Sequence, residues 1–183
     1  MNELQPECWY ALRVSYSREL KLKEILDTHG LENFIPMSYK IIEKDGQRKR
    51  IRVPAIHNLV FVHAAYGVLR SLQNDPVSRL AFYFLCHRGT RRPIVIPDSQ
   101  MRNFMLVAGT EDESLLYLSP DEIPFEKGKR VRVLSGPFAG AVGVMLRLRK
   151  DRRVVVQVQG VMAVATTFIH PSLLQLCDGP QSE

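Results

Sequence analysis

Gly128-Lys-Arg-Val-Arg-Val-Leu-Ser-Gly-Pro-Phe-Ala-Gly-Ala-Val-Gly143 decides how the rest of the chain is read. Val131 and Val133 alternate with Arg130 and Arg132, so a strand here buries one face and leaves the other charged. Ser135-Gly136-Pro137 stops it, because Pro137 has no N–H for a sheet ladder and Gly136 can take a positive φ. Beyond the turn Val142, Val144, Leu146 and Leu148 alternate with Gly143, Met145, Arg147 and Arg149, which brings a second strand back beside the first. Phe138 sits at the tip. By composition it is a plug for the end of a small β core, and the alternative is a contact residue on an exposed loop.

Working outward, the chain of 183 residues holds one large domain or two small ones, each long enough to bury a core. Its apolar fraction of 45% and charged fraction of 24% are those of an ordinary soluble protein. No apolar run reaches the length of a membrane span, and Met-Asn-Glu-Leu-Gln-Pro-Glu at the start is neither a basic leader nor a hydrophobic one, so a cytoplasmic protein is expected. Cys8, Cys86 and Cys177 are odd in number and widely spaced. They support neither a disulfide framework nor a zinc site and read as buried small hydrophobes. The charge is uneven. Residues 110–126 carry −6 with no Lys or Arg, which leaves +12 on the rest of a chain whose total is +6. The basic part suits a polyanion or an acidic protein face.

Taken in order, Cys8 to Val14 fits a central strand. A helix follows, with Leu22, Ile25, Leu26 and His29 on one face, Ser15 or Ser17 as its cap and Gly30 closing it. Phe34 to Ile42 reads as a strand, Asp45-Gly46 as a tight turn, and Arg48 to Val53 as the return. Lys40, Lys44, Arg48, Lys49, Arg50 and Arg52 outnumber Glu43 and Asp45 on this hairpin, whose outer surface is either solvated charge or an arm that faces phosphates. Leu59 to His63 is a strand, and Tyr66 to Gln73 a helix ended by Asn74-Asp75-Pro76. Leu80 to Leu85 and Pro93 to Ile96 are strands, and Asp98 caps a helix to about Ala108. The fold class is α+β: a βαββαβ split sandwich with helices on one face of an antiparallel sheet, joined to a small SH3-like barrel. The expected division is a first domain at 7–109, an acidic linker at 110–126, a barrel at 127–177 and a frayed tail at 178–183. Arg153 to Val158, Met162 to Ile169 and Ser172 to Leu176 complete the five-stranded barrel.

The order Gly, basic-apolar strand, Gly-Pro-Phe-Ala-Gly, Val-Gly-Val resembles the KOW motif of the NusG family of transcription elongation factors. The motif positions are Gly128, Val131, Val133, Gly136, Pro137, Phe138, Gly140 and Gly143. Trp9-Tyr10 opening a strand, Phe34-Ile-Pro-Met, the basic hairpin and Asn58-Leu-Val-Phe-Val62 resemble the family's N-terminal (NGN) domain in order and spacing. Pro36-Met37 ahead of the hairpin is similar to the specialised RfaH-type paralogues, and Ala163 to Pro171 to the UpxY branch found with capsular polysaccharide operons.

The resemblance implies an apolar depression that binds the clamp helices of RNA polymerase, at Trp9, Ile56, Leu59, Phe61, Phe82 and Phe84. The chain departs from the family's aromatic-Pro-Gly/Asn-Tyr run, having Ile56-His57-Asn58-Leu59 instead, and so offers fewer aromatic anchors there. Strand alternation makes sheet core the competing role for about half of these side chains. The resemblance further implies contact with non-template DNA or nascent RNA near Ser15, Arg18, Lys21, Arg70 and Ser71, with Tyr16 and Tyr66 available for stacking. For the barrel it implies docking to a ribosomal protein, a termination factor or nucleic acid, with Phe138, Arg147, Arg149, Arg152, Arg153 and an exposed Val161-Met162 edge as contacts.

An enzyme is the rival class. Cys86-His87 point to opposite faces of a strand, His57, His63 and His170 have no companion at metal-ligand spacing, and no Gly-rich phosphate loop precedes a helix. No cofactor or metal is expected. The remaining readings are an operon-specific antiterminator that acts as a monomer away from membranes, a general NusG-type elongation or termination factor, and a ribosome-associated KOW RNA binder.

Overall fold

The computed structural model describes residues 6–44, 46–75, 81–122, 128–148 and 150–177. Asp45 of the expected turn, Pro76, Leu80, the linker residues 123–126, Arg149 and the tail 178–183 lie outside the described residues. By its contacts the chain forms two compact units, Met1–Asp98 and Ser99–Glu183.

In the first unit β1 (Glu7–Val14) lies between β5 (Leu59–Ala65) on one side and β6 (Phe82–Phe84) and β7 (Val95–Ile96) on the other, and β2 (Glu32–Phe34) extends the sheet beyond β5. All pairings are antiparallel. β1 is central because Tyr10, Leu12 and Val14 on one face and Trp9 and Ala11 on the other are all buried. Helices α1 (Glu19–Thr28) and α2 (Tyr66–Gln73) cover the first of these faces, where Leu22, Leu26, Leu69 and Leu72 close on Tyr10, Leu12, Val14, Val60, Val62 and Phe82. The spacing of Leu69 and Leu72 places both on one side of a short helix, which explains why the sequence bounds of α2 match.

Two local expectations are corrected. The strand read from Phe34 to Ile42 is broken at Ile35-Pro36 into β2 and β3 (Met37–Lys44), because Pro36 offers no ladder N–H. The α1 helix starts at Glu19 with Arg18 as its cap and no side-chain capping bond, so neither Ser15 nor Ser17 caps it. Its other end is as expected, with Gly30 at φ +67° and the Leu31 N–H donating to the Leu26 carbonyl at 2.9 Å. β3 pairs over eight residues with β4 (Gln47–Pro54) as a separate two-stranded ribbon, rooted by buried Ile35 and Met37 and by a bond from the Ala55 N–H to the Pro36 carbonyl at 2.8 Å.

The second unit starts within α3 (Asp98–Ala108), eleven residues before the expected boundary after Gly109. Side chains of α3 bond to the β part of this unit. Asn103 Oδ1 accepts from the Val142 N–H at 3.1 Å and Gln100 Oε1 from the Gln159 N–H at 2.9 Å. The rest is an antiparallel sheet in the order β13-β9-β10-β11-β12-β8. Its strands are β8 (Leu116–Leu118), β9 (Lys129–Val133), β10 (Val142–Leu148), β11 (Asp151–Val158), β12 (Met162–Phe168) and β13 (Leu174–Leu176). Five of these are the expected strands. The sixth, β8, comes from the stretch read as linker: Leu116, Tyr117 and Leu118 pair with Ala165, Val164 and Ala163, where small residues on β12 let an extra strand lie close. The expected exposed edge at Val161-Met162 is buried, at 9% and 5% exposure, because β12 is an inner strand. Cys86 is exposed and Cys177 half-buried, so these two are not the core hydrophobes the composition suggested, while half-buried Cys8 packs against the core of the first unit.

Candidate functional site

Of the six residues implied as a polymerase contact, five fall on two faces of the first sheet and Ile56 on the loop before β5. The register pairs Trp9 with His63, Ala11 with Phe61 and Arg13 with Leu59 and Tyr83, so Trp9, Leu59 and Phe61 share the face turned away from α1 and α2. Trp9 packs on His63 at 5.3 Å between ring centroids. Trp9, Leu59 and Phe61 are 4%, 6% and 0% exposed, and the open part of this face is at Arg13 and Tyr83. Phe82 and Phe84 pair with Val14 and Leu12 on the helix side. There they join Tyr10 and Tyr66 in an aromatic cluster, with Phe84 centroids 5.6 Å from Tyr10 and 5.2 Å from Tyr66. Burial holds the Tyr10 hydroxyl proton, pushing its pKa up. The structure therefore brings Trp9, Leu59 and Phe61 together, with Ile56 half-buried on the loop before β5, and sets Phe82 and Phe84 apart from them. Arg13 and Tyr83 were missed by the sequence reading. Their signal is the alternation from Ala11, which becomes useful only once β6 is known to pair with β1.

Of the nucleic-acid candidates, Ser15, Arg18 and Lys21 lie at the corner between β1 and α1 or in the first turn of α1, and Arg70 and Ser71 lie on α2. Tyr16 and Ser17 have φ of +58° and +51°, a conformation that costs non-glycine residues about 1 kcal/mol or more each. The corner is held by Asn58. Its Oδ1 accepts from the Ser17 N–H at 3.1 Å, its carbonyl from the Val14 N–H at 3.1 Å, and its own N–H donates to Glu19 Oε1. Glu19 is 1% exposed and stands in the first turn of α1, the end of a helix where the macrodipole favours negative charge. The result pushes Tyr16 outward, 86% exposed, with the Arg18 guanidinium 5.6 Å from its ring. Ser15 and Lys21 are exposed beside it. On α2, Arg70 donates to Gln73, Gln73 donates to the Phe82 carbonyl at 2.6 Å, and the Ser71 hydroxyl donates to the Gly67 carbonyl at 3.0 Å. Arg70 is thus held in place at the surface of the same side of the sheet.

In the second unit the motif residues are structural. Val131 and Val133 are 1% exposed, and Phe138, at 3%, fills the core, so it is the plug and not a contact residue. Gly136 and Gly140 take φ of +87° and +89° around the tip. A Cβ on Gly143 would meet the Val155 carbonyl oxygen at 2.5 Å, so only glycine lets β10 approach β11 there. Arg147 and Arg152 are exposed, whereas Arg153 is half-buried and donates to the Ser114 and Thr166 carbonyls at 2.9 Å each. A register shift between β11 and β12 leaves the Val154 N–H without a ladder partner, and the buried Thr166 Oγ1 accepts it at 3.0 Å. The Tyr117 hydroxyl is buried without a hydrogen-bond partner among the described residues, and burial, with the Glu111 charge, pushes its pKa up to about 12.

These features define a mixed α/β protein with antiparallel sheets, in which the sequence candidates mark surfaces and corners. A family model described as transcription termination factor NusG matches residues 7–105, more than half of the chain, and the chain belongs to the NusG family. Among solved structures it is similar to one of NusG from Thermotoga maritima that concerns domain interaction, with 18% identity over 94% of this chain and 98% of that one and a TM-score of 0.44. No curated protein matches it. Among the described residues no helix is long and apolar enough to cross a membrane.

Proposed function

We propose that this NusG-family transcription factor is an operon-restricted antiterminator that works without catalysis. It rides on the clamp helices of RNA polymerase as a monomer, suppresses pausing, and serves surface polysaccharide operons. The observation that carries the reading is family membership over residues 7–105, with Trp9, Leu59 and Phe61 on one sheet face that opens at Arg13 and Tyr83. Ser15, Arg18, Lys21, Arg70 and Ser71 then face exposed non-template DNA or nascent RNA. The second unit, read as a KOW barrel, docks a ribosomal protein or a termination factor.

The test is co-purification with core RNA polymerase. Leu59 and Phe61 are buried too deeply for a surface probe, so the variants are Ile56→Asp and Tyr83→Asp, each first shown to be folded by circular dichroism. The wild type should bind and both variants should bind less; a folded wild type that does not bind ends this reading. A second reading, a general termination or elongation factor, is equally consistent with the matching family model. Read-through on a polysaccharide-operon leader compared with an unrelated template separates the two, because a general factor acts on both.

A further inference from the structure

The β3–β4 ribbon carries six cations, and its register sorts them by chemistry. The pairs Tyr39↔Arg52, Ile41↔Arg50 and Glu43↔Arg48 put Arg48, Arg50 and Arg52 on one face. The pairs Lys40↔Ile51, Ile42↔Lys49 and Lys44↔Gln47 put Lys40, Lys44 and Lys49 on the other. Strand alternation separates odd from even positions but does not choose between lysine and arginine; here every arginine of the ribbon is on one side and every lysine on the other. The arginine face is the more open, with Ile41 67% exposed, while Ile42 and Ile51 on the lysine face are half-buried. The Arg50 guanidinium lies 3.9 Å from the centroid of the Tyr39 ring, a stacking contact that restrains it before any partner arrives.

We infer that this arginine face is a docking track for the sugar–phosphate backbone of a nucleic acid strand. Three guanidinium forks repeat every second residue, about 7 Å apart along a straight strand. A row of that kind matches a linear polyanion with a regular charge repeat better than the irregular acidic face of a folded protein. Arginine presents a planar fork that bonds a phosphate bidentately, whereas lysine is a hydrated point charge, so the sorting separates a recognition face from a solubilising one. A two-stranded ribbon is also slim enough to follow the major groove of a duplex. The track is distinct from the corner at Tyr16 and does not depend on polymerase binding.

The test compares two charge-matched variants of the full chain, Arg48→Gln/Arg50→Gln/Arg52→Gln and Lys40→Gln/Lys44→Gln/Lys49→Gln. Binding is followed by fluorescence anisotropy to single-stranded DNA, single-stranded RNA and duplex DNA of the same mixed sequence, from 50 to 200 mM salt. The arginine variant should lose about ten-fold or more in affinity, and its log K against log salt slope should flatten by about 2 to 3. The lysine variant should stay within about three-fold on the strand that binds best, and that arm identifies the source of the backbone. An Arg48→Lys/Arg50→Lys/Arg52→Lys variant guards against misfolding: it should keep the salt slope and bind more weakly. Equal losses in the two Gln variants would reduce the ribbon to diffuse charge and overturn the track. So would an unaffected arginine variant, a wild type that binds none of the three, or competition by poly-glutamate as effective as that by the nucleic acid.

Discussion

Single residues in this chain settle questions that patterning left open. Phe138 had two roles on paper, and its burial makes it a core plug. Tyr117 is a side chain that the sequence offers no reason to notice. Its folded-state pKa of about 12 lies above the ordinary 10.0, so the folded chain holds the proton more tightly than the unfolded one. That contribution is whole below pH 10, and it is lost as pH rises from 10 toward 12. Thermal melts at pH 8 and pH 11 should therefore show a fall that is smaller in a Tyr117→Phe variant, where Tyr10, its pKa also raised, still contributes. At pH 8 the variant should be equal to the wild type or up to about 1 kcal/mol more stable, since a buried hydroxyl with no partner among the described residues is removed. Thr166 is the opposite case. Thr166→Val orphans the buried Val154 N–H and should cost about 1–3 kcal/mol in denaturant titrations, while Thr166→Ser should keep most of it.

At the scale of elements, legibility followed local signals. β1, β5 and α2 were readable because alternation and helical spacing are written within eight or so residues. The start of α1 was not, because its corner is fixed by Asn58, 39 residues beyond Glu19, and no local cap announces that. The β8 strand was legible only as an apolar run able to dock on either domain. Leu115-Leu-Tyr-Leu118 sits in an acidic stretch that reads as linker, and only the small residues of β12 make room for it. Its removal has a measurable consequence. A chain trimmed to begin at Gly128 should melt lower and aggregate more readily than one that begins at Gly109, because the edge of β12 is left unpaired. Light scattering during the melt checks this. Equal behaviour would mean that β8 adds nothing to the sheet. The candidate polymerase face was half legible: alternation allowed Trp9, Leu59 and Phe61 to share a side, but only the register separates them from Phe82 and Phe84.

For the whole molecule, family membership was legible in the order of motifs, and the family model matches the region where most of them lie. The extent of the units was less so, since Asn103 and Gln100 bond across the sequence to β10 and to the turn after β11. Charge acts at this scale too. With a net charge of +6 at pH 7 and a pI near 9.4, the chain should remain dispersed at neutral pH and self-associate as its charge vanishes. Static light scattering across pH 7 to 10 should rise toward pH 9.4.

The break at Pro36 has a mechanical side. It frees β3 and β4 from the sheet and yet ties their root to it through Met37, Ile35 and the Ala55–Pro36 bond. Eight paired residues at about 3.3 Å each make a spar of about 26 Å. A partner gripped along it is held at a set stand-off from β1 and β5, so the ribbon works as a ruler: lengthening both strands by two pairs would move the grip outward by about 7 Å on the same face, and by one pair would turn the arginines to the other side.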